Sequence, residues 1–255
     1  MEKLTIIKVG GKVVEETEIL NTLLDQISRI SSHKILVHGG GRTATDLASK
    51  LGIETEMVDG RRITGKSMLE VVTMVYGGLV NKKIVAGLQA RGCNAIGLTG
   101  ADLNLVSAVK RPVGKIDYGF VGDVDDVNSR EIRILIDENV VPVVAPLTHD
   151  GKGNLLNTNA DTIASEMAIE LAGHFNVYLF YCFEKKGVLT DPDDENSIIY
   201  DLDAKLFNKY RDNGIINSGM VPKLENGFRA KRGGVQKVMN TNFENIATGR
   251  GTRLI

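Results

Sequence analysis

Two glycine clusters constrain this chain more than any other feature, because each stands where an apolar, β-branched run gives way to a helix-length segment. Residues 4–9 form the first run and end in Gly10-Gly11; residues 34–37 form the second and end in His38-Gly39-Gly40-Gly41. Apolar run, glycine turn and helix make the repeating unit of an α/β fold on a largely parallel sheet. Glycine is required at such a turn when φ is positive or when another backbone or a ligand comes too close for a Cβ. Either cluster alone reads equally well as a tight β–α turn. Together they can offer backbone N–H groups to anionic oxygens, one loop to a phosphate and the other to a substrate carboxylate or amide.

The same alternation continues along the chain. Helices are expected over 18–30, 43–51 (stopped by Gly52), 68–89 (weakened at Gly77-Gly78), 129–139, 159–171, 204–211 and 219–231. Strands are expected over 93–98, 140–145, 176–183, 235–239 and 246–247. Residues 105–127 differ: they alternate apolar and polar around Pro112-Val113-Gly114 and Gly119, the pattern of antiparallel hairpins on the edge or face of the sheet. A chain of 255 residues, 42% of them hydrophobic, suffices for one large α/β domain or two joined lobes. With no repeat, low-complexity tract or flexible linker, a boundary near Gly173 would separate packed lobes.

Charge is balanced, 31 Lys+Arg against 32 Asp+Glu, and no basic stripe with interleaved aromatics points to nucleic acid. No apolar run reads as a membrane span, and the N-terminal MEKLTIIKVGG enters a strand at once, without the basic region or cleavage site of a signal peptide. Cys93 and Cys182 lie isolated in apolar runs, which argues for a reducing compartment and a cytoplasmic location. His38 and His149 fall at strand ends without metal-ligand spacing, so no protein-held metal is expected.

Three polar features remain. Lys8 sits inside the first apolar run, where a lysine is buried and paired, aimed at an anion beyond the strand's end, or on an edge reaching solvent. Asn157-Thr158-Asn159-Ala160-Asp161 precedes a helix that Asn159 or Thr158 would cap, yet its two amides and carboxylate also suit a ligand carboxylate and lysine partners. Ser218-Gly219-Met220-Val221-Pro222-Lys223 opens a helix with proline in its first turn, leaving Lys223 facing solvent or the cleft of Lys8. A competing motif, Gly60-Arg61-Arg62-Ile63-Thr64-Gly65-Lys66-Ser67, fits the P-loop pattern letter for letter. Its context is poor: two glutamates interrupt the run before it, and adjacent arginines crowd a loop that would have to wrap a phosphate.

Taken in order, IIKVGG, LVHGGG, DGRRITG, NTNAD, SGMVPK and the terminal GTRLI resemble the acetylglutamate kinases of the amino-acid kinase family, over essentially the whole chain. The resemblance implies a three-layer α/β/α sandwich on a mainly parallel open sheet. It implies an N-terminal lobe (1–173) that binds acylglutamate and makes dimer contacts, and a C-terminal lobe (174–255) that binds ATP with its Mg²⁺. The implied reaction passes the γ-phosphoryl of ATP to the side-chain carboxylate of N-acetyl-L-glutamate, in arginine synthesis. Carried over by motif, Lys8 and Lys223 flank the transferring group and Asp161 orients them. Gly10 and Gly11 contact ATP phosphates; Gly40 and Gly41 hold the substrate; Arg62 and Asn157 grip its α-carboxylate, with Asn159 beside them. Arg62 thereby turns the P-loop-like stretch into a substrate loop. The turn Glu184-Lys185-Lys186 departs from the Asp-containing turn that relatives often carry. The lack of the added N-terminal helix of arginine-inhibited relatives leads to the expectation of an arginine-insensitive homodimer. Arg61, where many relatives have an apolar residue, motivates an alternative in which N-succinyl-L-glutamate is the substrate. A catalytically silent amino-acid or nucleotide sensor on the same fold is the alternative from another class.

Overall fold

The computed structural model describes residues 1–58, 60–216 and 219–255; Asp59 and Ser218, both in motifs quoted above, lie outside the described residues. The first β–α unit comprises β1 (Lys3–Val9), a short α1 (Gly11–Glu15) and α2 (Thr17–Ser28). β1 is buried from Leu4 onward. α2 sets Leu20, Leu23, Leu24 and Ile27 on one buried stripe at helical spacing. The second unit is β2 (His33–His38) and α3 (Gly41–Lys50). As expected, α3 stops at Gly52, which takes a φ of +70°.

A two-stranded ribbon of β3 (Met57–Val58) and β4 (Arg61–Arg62) follows. α4 (Lys66–Val72) and α5 (Asn81–Gln89) are joined by a π-helical stretch, Thr73–Val80, centred on the glycine pair that weakens the helix in the sequence. This run of 24 residues is, by length and composition alone, long and apolar enough to cross a membrane, which corrects the expectation that no such run exists. Here Val71, Val72, Val75, Ile84 and Leu88 are buried in the core.

β5 (Ala95–Leu98) is followed by β6 (Val106–Lys110) and β7 (Val121–Val127), which pair antiparallel as the alternation predicts. α6 (Ser129–Asp137) and β8 (Val141–Val144) resume the β–α pattern. β9 (Leu147–His149) and β10 (Leu155–Thr158) then join β6 and β7 in a closed four-stranded barrel, so the hairpin does not edge the main sheet. α7 (Ala160–Leu171) leads to β11 (Asn176–Phe183), and β12 (Asp201–Leu202), α8 (Ala204–Asp212), α9 (Val221–Arg232), β13 (Lys237–Asn242) and β14 (Thr252–Leu254) complete the chain. Residues 246–247, expected as a strand, occupy a turn: Ile246 is apolar because it packs into the core, and β14 closes the sheet instead.

The main sheet runs β12-β14-β13-β11-β1-β2-β8-β5, parallel at every pair except β13–β14. One face packs Ile6, Ile35 and Leu179 against Met167 of α7 and Phe228 of α9. The other packs Ile7 and Leu36 against Leu23 of α2 and Val75 of the π-helical stretch. The result is the expected α/β/α sandwich. β1 pairs with β11 along its whole length, so one sheet continues across the boundary expected near Gly173.

Candidate active site

In the sheet register Val9 stands beside His38 on one side and Cys182 on the other, so both glycine loops leave the sheet at one level. The Gly39 N–H donates to Val9 O at 2.9 Å, and the Gly10 N–H donates to Cys182 O at 3.0 Å. A Cβ on Gly39 would meet Gly11 N at 3.2 Å, so the loops touch backbone to backbone and Gly39 has little room for a side chain. Gly40 takes a φ of +155°, and a Cβ there would press on the Tyr76 ring at 3.1 Å. The Gly10 N–H is engaged, whereas the N–H groups of Gly11 and Gly41, the first residues of α1 and α3, have no intrahelical partner by helix geometry.

Lys8, Asp161 and Lys223 come together just beneath these loops. Asp161, in the first turn of α7, lies 2.7 Å from Lys8 Nζ through Oδ1 and 2.8 Å from Lys223 Nζ through Oδ2. The Lys223 contact is a hydrogen bond; the Lys8 contact is a close ion pair off the hydrogen-bond axis. Lys8 is only 6% exposed, on the central strand, which rules out the edge reading. Burial draws its ammonium down to about 8 against the pull of Asp161. Burial pushes the Asp161 carboxyl upward, but the two lysines outweigh it and hold it at about 2. Lys223 is also penalised by burial, yet Asp161 raises it above the ordinary lysine value. The arrangement is one carboxylate with two ammonium groups: a local excess of positive charge withdrawn from water.

Two cavities open at the same end of the sheet. One, of about 200 Å³, is lined by Gly40, Gly41, Arg62, Tyr76, Asn157 and Asn159 among others. Arg62 is buried; its Nη2 donates to Gly41 O at 2.8 Å and Thr45 Oγ1 at 2.9 Å, while its Nη1 is buried with no acceptor among the described residues. Asn157 spends one Nδ2 hydrogen on Thr64 Oγ1 at 3.0 Å and keeps the second. Asn159 Oδ1 caps α7 by accepting from Thr162 N at 3.0 Å, the helix-capping role the sequence allows. A second cavity, of about 240 Å³, lies past the end of β11 and is lined by Phe183, Val188, Leu189, Ile216 and Met220, with Glu184 at its rim. In the divergent turn, Lys185 donates to Pro192 O at 3.2 Å and Lys186 pairs with Glu195 at 3.3 Å, so both tie down their own loop. Larger hollows exist, about 740 Å³ beside β13 and β14 and about 630 Å³ at the strands' N-terminal ends, but neither is lined by any of the candidate site residues singled out in the sequence.

All ten residues singled out in the sequence therefore converge on one end of the sheet. Of the P-loop-like stretch, Gly60, Arg61 and Arg62 line the first cavity, but Lys66 is exposed and follows the small ribbon rather than a central strand. Of the groups that hold the second glycine loop, sequence reasoning found His38, as a structural histidine, and missed Tyr76 and Asn81. His38 Nδ1 must carry the proton it gives to Gly39 O at 2.7 Å, and its Nε2 accepts from Asn81 Nδ2 at 3.1 Å. Burial lowers this imidazole to about 4, so it is neutral at pH 7. Asn81 also donates to Val143 O at 2.9 Å. The π-helical geometry, closing on i→i+5, brings Tyr76 and Asn81 to the same side to bracket the loop; the glycine pair was the available signal. Among the described residues no cluster of three His, Cys, Asp or Glu could hold a metal.

Comparison with known proteins agrees with this picture. The model of the amino acid kinase family matches residues 3–242. The chain is 61% identical over 251 residues to an acetylglutamate kinase of Phocaeicola vulgatus, covering 98% of each chain. It is 59% identical over 254 residues to an acetylglutamate kinase of Parabacteroides distasonis, covering 100% of each. Among solved structures, smu.665 of Streptococcus mutans superposes with a TM-score of 0.84 at 25% identity, over 98% of both chains. By the family match, these full-length relatives and the shared fold, the chain belongs to the amino acid kinase family.

Proposed function

We propose that this protein transfers the γ-phosphoryl group of ATP to the side-chain carboxylate of N-acetyl-L-glutamate, forming an acyl phosphate for arginine synthesis. The observation that carries the reading is buried Asp161 with an ammonium on each oxygen, at the sheet end where a guanidinium-lined cavity and a mostly apolar one also open. The full-length similarity to acetylglutamate kinases supports the choice of substrate.

In this reading acylglutamate enters the first cavity, held by Gly40, Gly41, Arg62, Asn157 and Asn159. The orphaned Arg62 Nη1 supports an α-carboxylate as its acceptor, since a buried guanidinium N–H without one costs on the order of 1–3 kcal/mol. The nucleotide's base lies in the cavity past β11, and its phosphates reach Lys223, Lys8 and the Gly10-Gly11 loop. MgATP supplies the phosphoryl group and the divalent cation that travels with it. The acceptor carboxyl, with a pKa of about 4.3, is already ionised at neutral pH, so no general base is needed. The difficulty is bringing two anions together. Lys8 and Lys223 meet the developing charge, Asp161 keeps both ammoniums aimed without solvent reorganisation, and the Gly11 and Gly41 N–H groups add fixed donors. Each such contact is worth about 3–4 kcal/mol of transition-state stabilisation.

Residues 1–173 then serve as the acylglutamate lobe and 174–255 as the nucleotide lobe, in a cytoplasmic homodimer. Two buried free cysteines support a reducing compartment, and Met74 and Leu79, exposed on the apolar helical run, support a self-associating face. The test is ADP release with MgATP and N-acetyl-L-glutamate, N-succinyl-L-glutamate or free L-glutamate. Preference for the acetyl compound is expected. Preference for the succinyl compound would change the substrate, and tight binding without ADP release would make the protein a sensor.

A further inference from the structure

Arg111 belongs to none of the motifs above, yet it lines the same cavity as Arg62. It stands just past β6, its backbone N–H given to Val121 O at 2.8 Å. Its Nε donates to the two Asp123 oxygens at 3.2 and 3.1 Å, and its Nη2 also bonds Asp123. The Tyr118 ring lies under the guanidinium, 5.3 Å from Cζ. The barrel strands thus fix the plane of this side chain. One arm is left over: Nη1 is buried with no acceptor among the described residues.

Arg62 and Arg111 both line the cavity of about 200 Å³, and each keeps a buried Nη1 without an acceptor among the described residues. A bound molecule has to supply an acceptor to each, because an orphaned buried donor carries its full desolvation penalty. In an N-acylated glutamate the α-carboxylate answers Arg62, and the side-chain carboxylate has to lie toward Lys8 and Lys223. What remains is the acyl end. We infer that Arg111 is a specificity-determining residue whose Nη1 donates to an oxygen of the substrate's acyl group. The inference rests on the acylglutamate reading above. Asp123 already balances the guanidinium charge, so the acceptor need not be a full anion. The amide carbonyl and a carboxylate at the end of a longer acyl chain are both competent, and Arg61 on the same cavity wall favours negative charge there.

Arg111→Lys separates these ideas, since lysine keeps a charge for Asp123 but lacks the second arm; Arg111→Met serves as a second variant. Steady-state kinetics would be run with N-acetyl- and N-succinyl-L-glutamate, with the KM for MgATP and the melting temperature as controls. The expected result is a KM for acyl substrate raised about tenfold or more, with kcat, the MgATP KM and melting little changed. Equal losses for both substrates assign the acceptor as the amide carbonyl; a loss confined to the succinyl compound assigns the terminal carboxylate. Unchanged acyl-substrate KM in both variants overturns the inference, as does a parallel rise in the KM for MgATP with a lowered melting temperature. If wild type turns over neither compound, the kinase reading fails, and calorimetric binding of the two compounds to wild type and Arg111→Lys still decides the role of Arg111. Absence of binding by wild type removes both.

Discussion

At Lys8, near-complete burial favours the neutral amine, while a carboxylate 2.7 Å away favours the cation; burial prevails and leaves the group at about 8. The consequence for activity has a definite sign. Below pH 8 the ammonium is present, so kcat/KM for ATP, which reports the free enzyme, should decline as pH rises through about 8. The consequences for stability run in opposite directions. Lys8 has a folded value below its ordinary 10.5, so its burial opposes folding at neutral pH and that penalty is relieved as pH climbs from about 8 toward 10.5. Asp161, held at about 2, contributes stability above its ordinary 3.8 that is lost as pH falls through that window, measurable as the urea midpoint against pH. Mutation gives a second test. Lys8→Ala should lower kcat about 10²–10³-fold, whereas Lys66→Ala, on the exposed P-loop-like stretch, should leave it unchanged. The reverse pattern would return the phosphate site to that stretch. Lys8 was legible in the sequence as an anomaly, a charge in an apolar strand. Its partner Asp161 was named there only by the family resemblance, because Asp161 and Lys223 approach from helices far along the chain.

The second glycine loop is braced by a helix whose irregularity sets the bracing residues in place. Thr73–Val80 is π-helical, so Tyr76 packs on Gly40 and Asn81 reaches His38. Gly40→Ala forces a Cβ into a strained backbone and against Tyr76; it should raise the KM for acylglutamate and lower the melting temperature, both readable on purified protein. Asn81→Ala leaves Val143 O and His38 Nε2 without their donor and should cost about 1–3 kcal/mol in urea unfolding. Elements with a strong period were legible: the stripe of α2, the stop of α3 at Gly52 and the buried run of β11. Three features were not. The π stretch looked only like a weak helix, because glycine lowers propensity without saying how the backbone responds. Arg111 sits in a segment whose alternation showed a hairpin but not that β9 and β10 would close it into a barrel. Residues 246–247 carried the apolarity of a strand for a packing reason.

At the scale of the whole molecule, one continuous sheet joins residues 1–173 to residues 174–255, and the lysine cluster draws on both, Lys8 and Asp161 from the first and Lys223 from the second. The fold class followed from the alternation of runs and turns. The position of the site followed from the strand ends being level, a property of register that sequence does not display. Met74 and Leu79, 53% and 61% exposed, give the long helical run an apolar outer face, and sedimentation should find a dimer; a monomer would leave that face without a role. The proposed phosphoryl transfer at Lys8, Asp161 and Lys223 has a carboxylate as its acceptor. Trapping with hydroxylamine tests it most directly, because an acyl phosphate is captured as a hydroxamate. With MgATP and N-acetyl-L-glutamate, hydroxamate should form in step with ADP, and Lys223→Ala should suppress both together about 10²–10³-fold. ADP release without hydroxamate, or undiminished hydroxamate in the variant, would contradict the account.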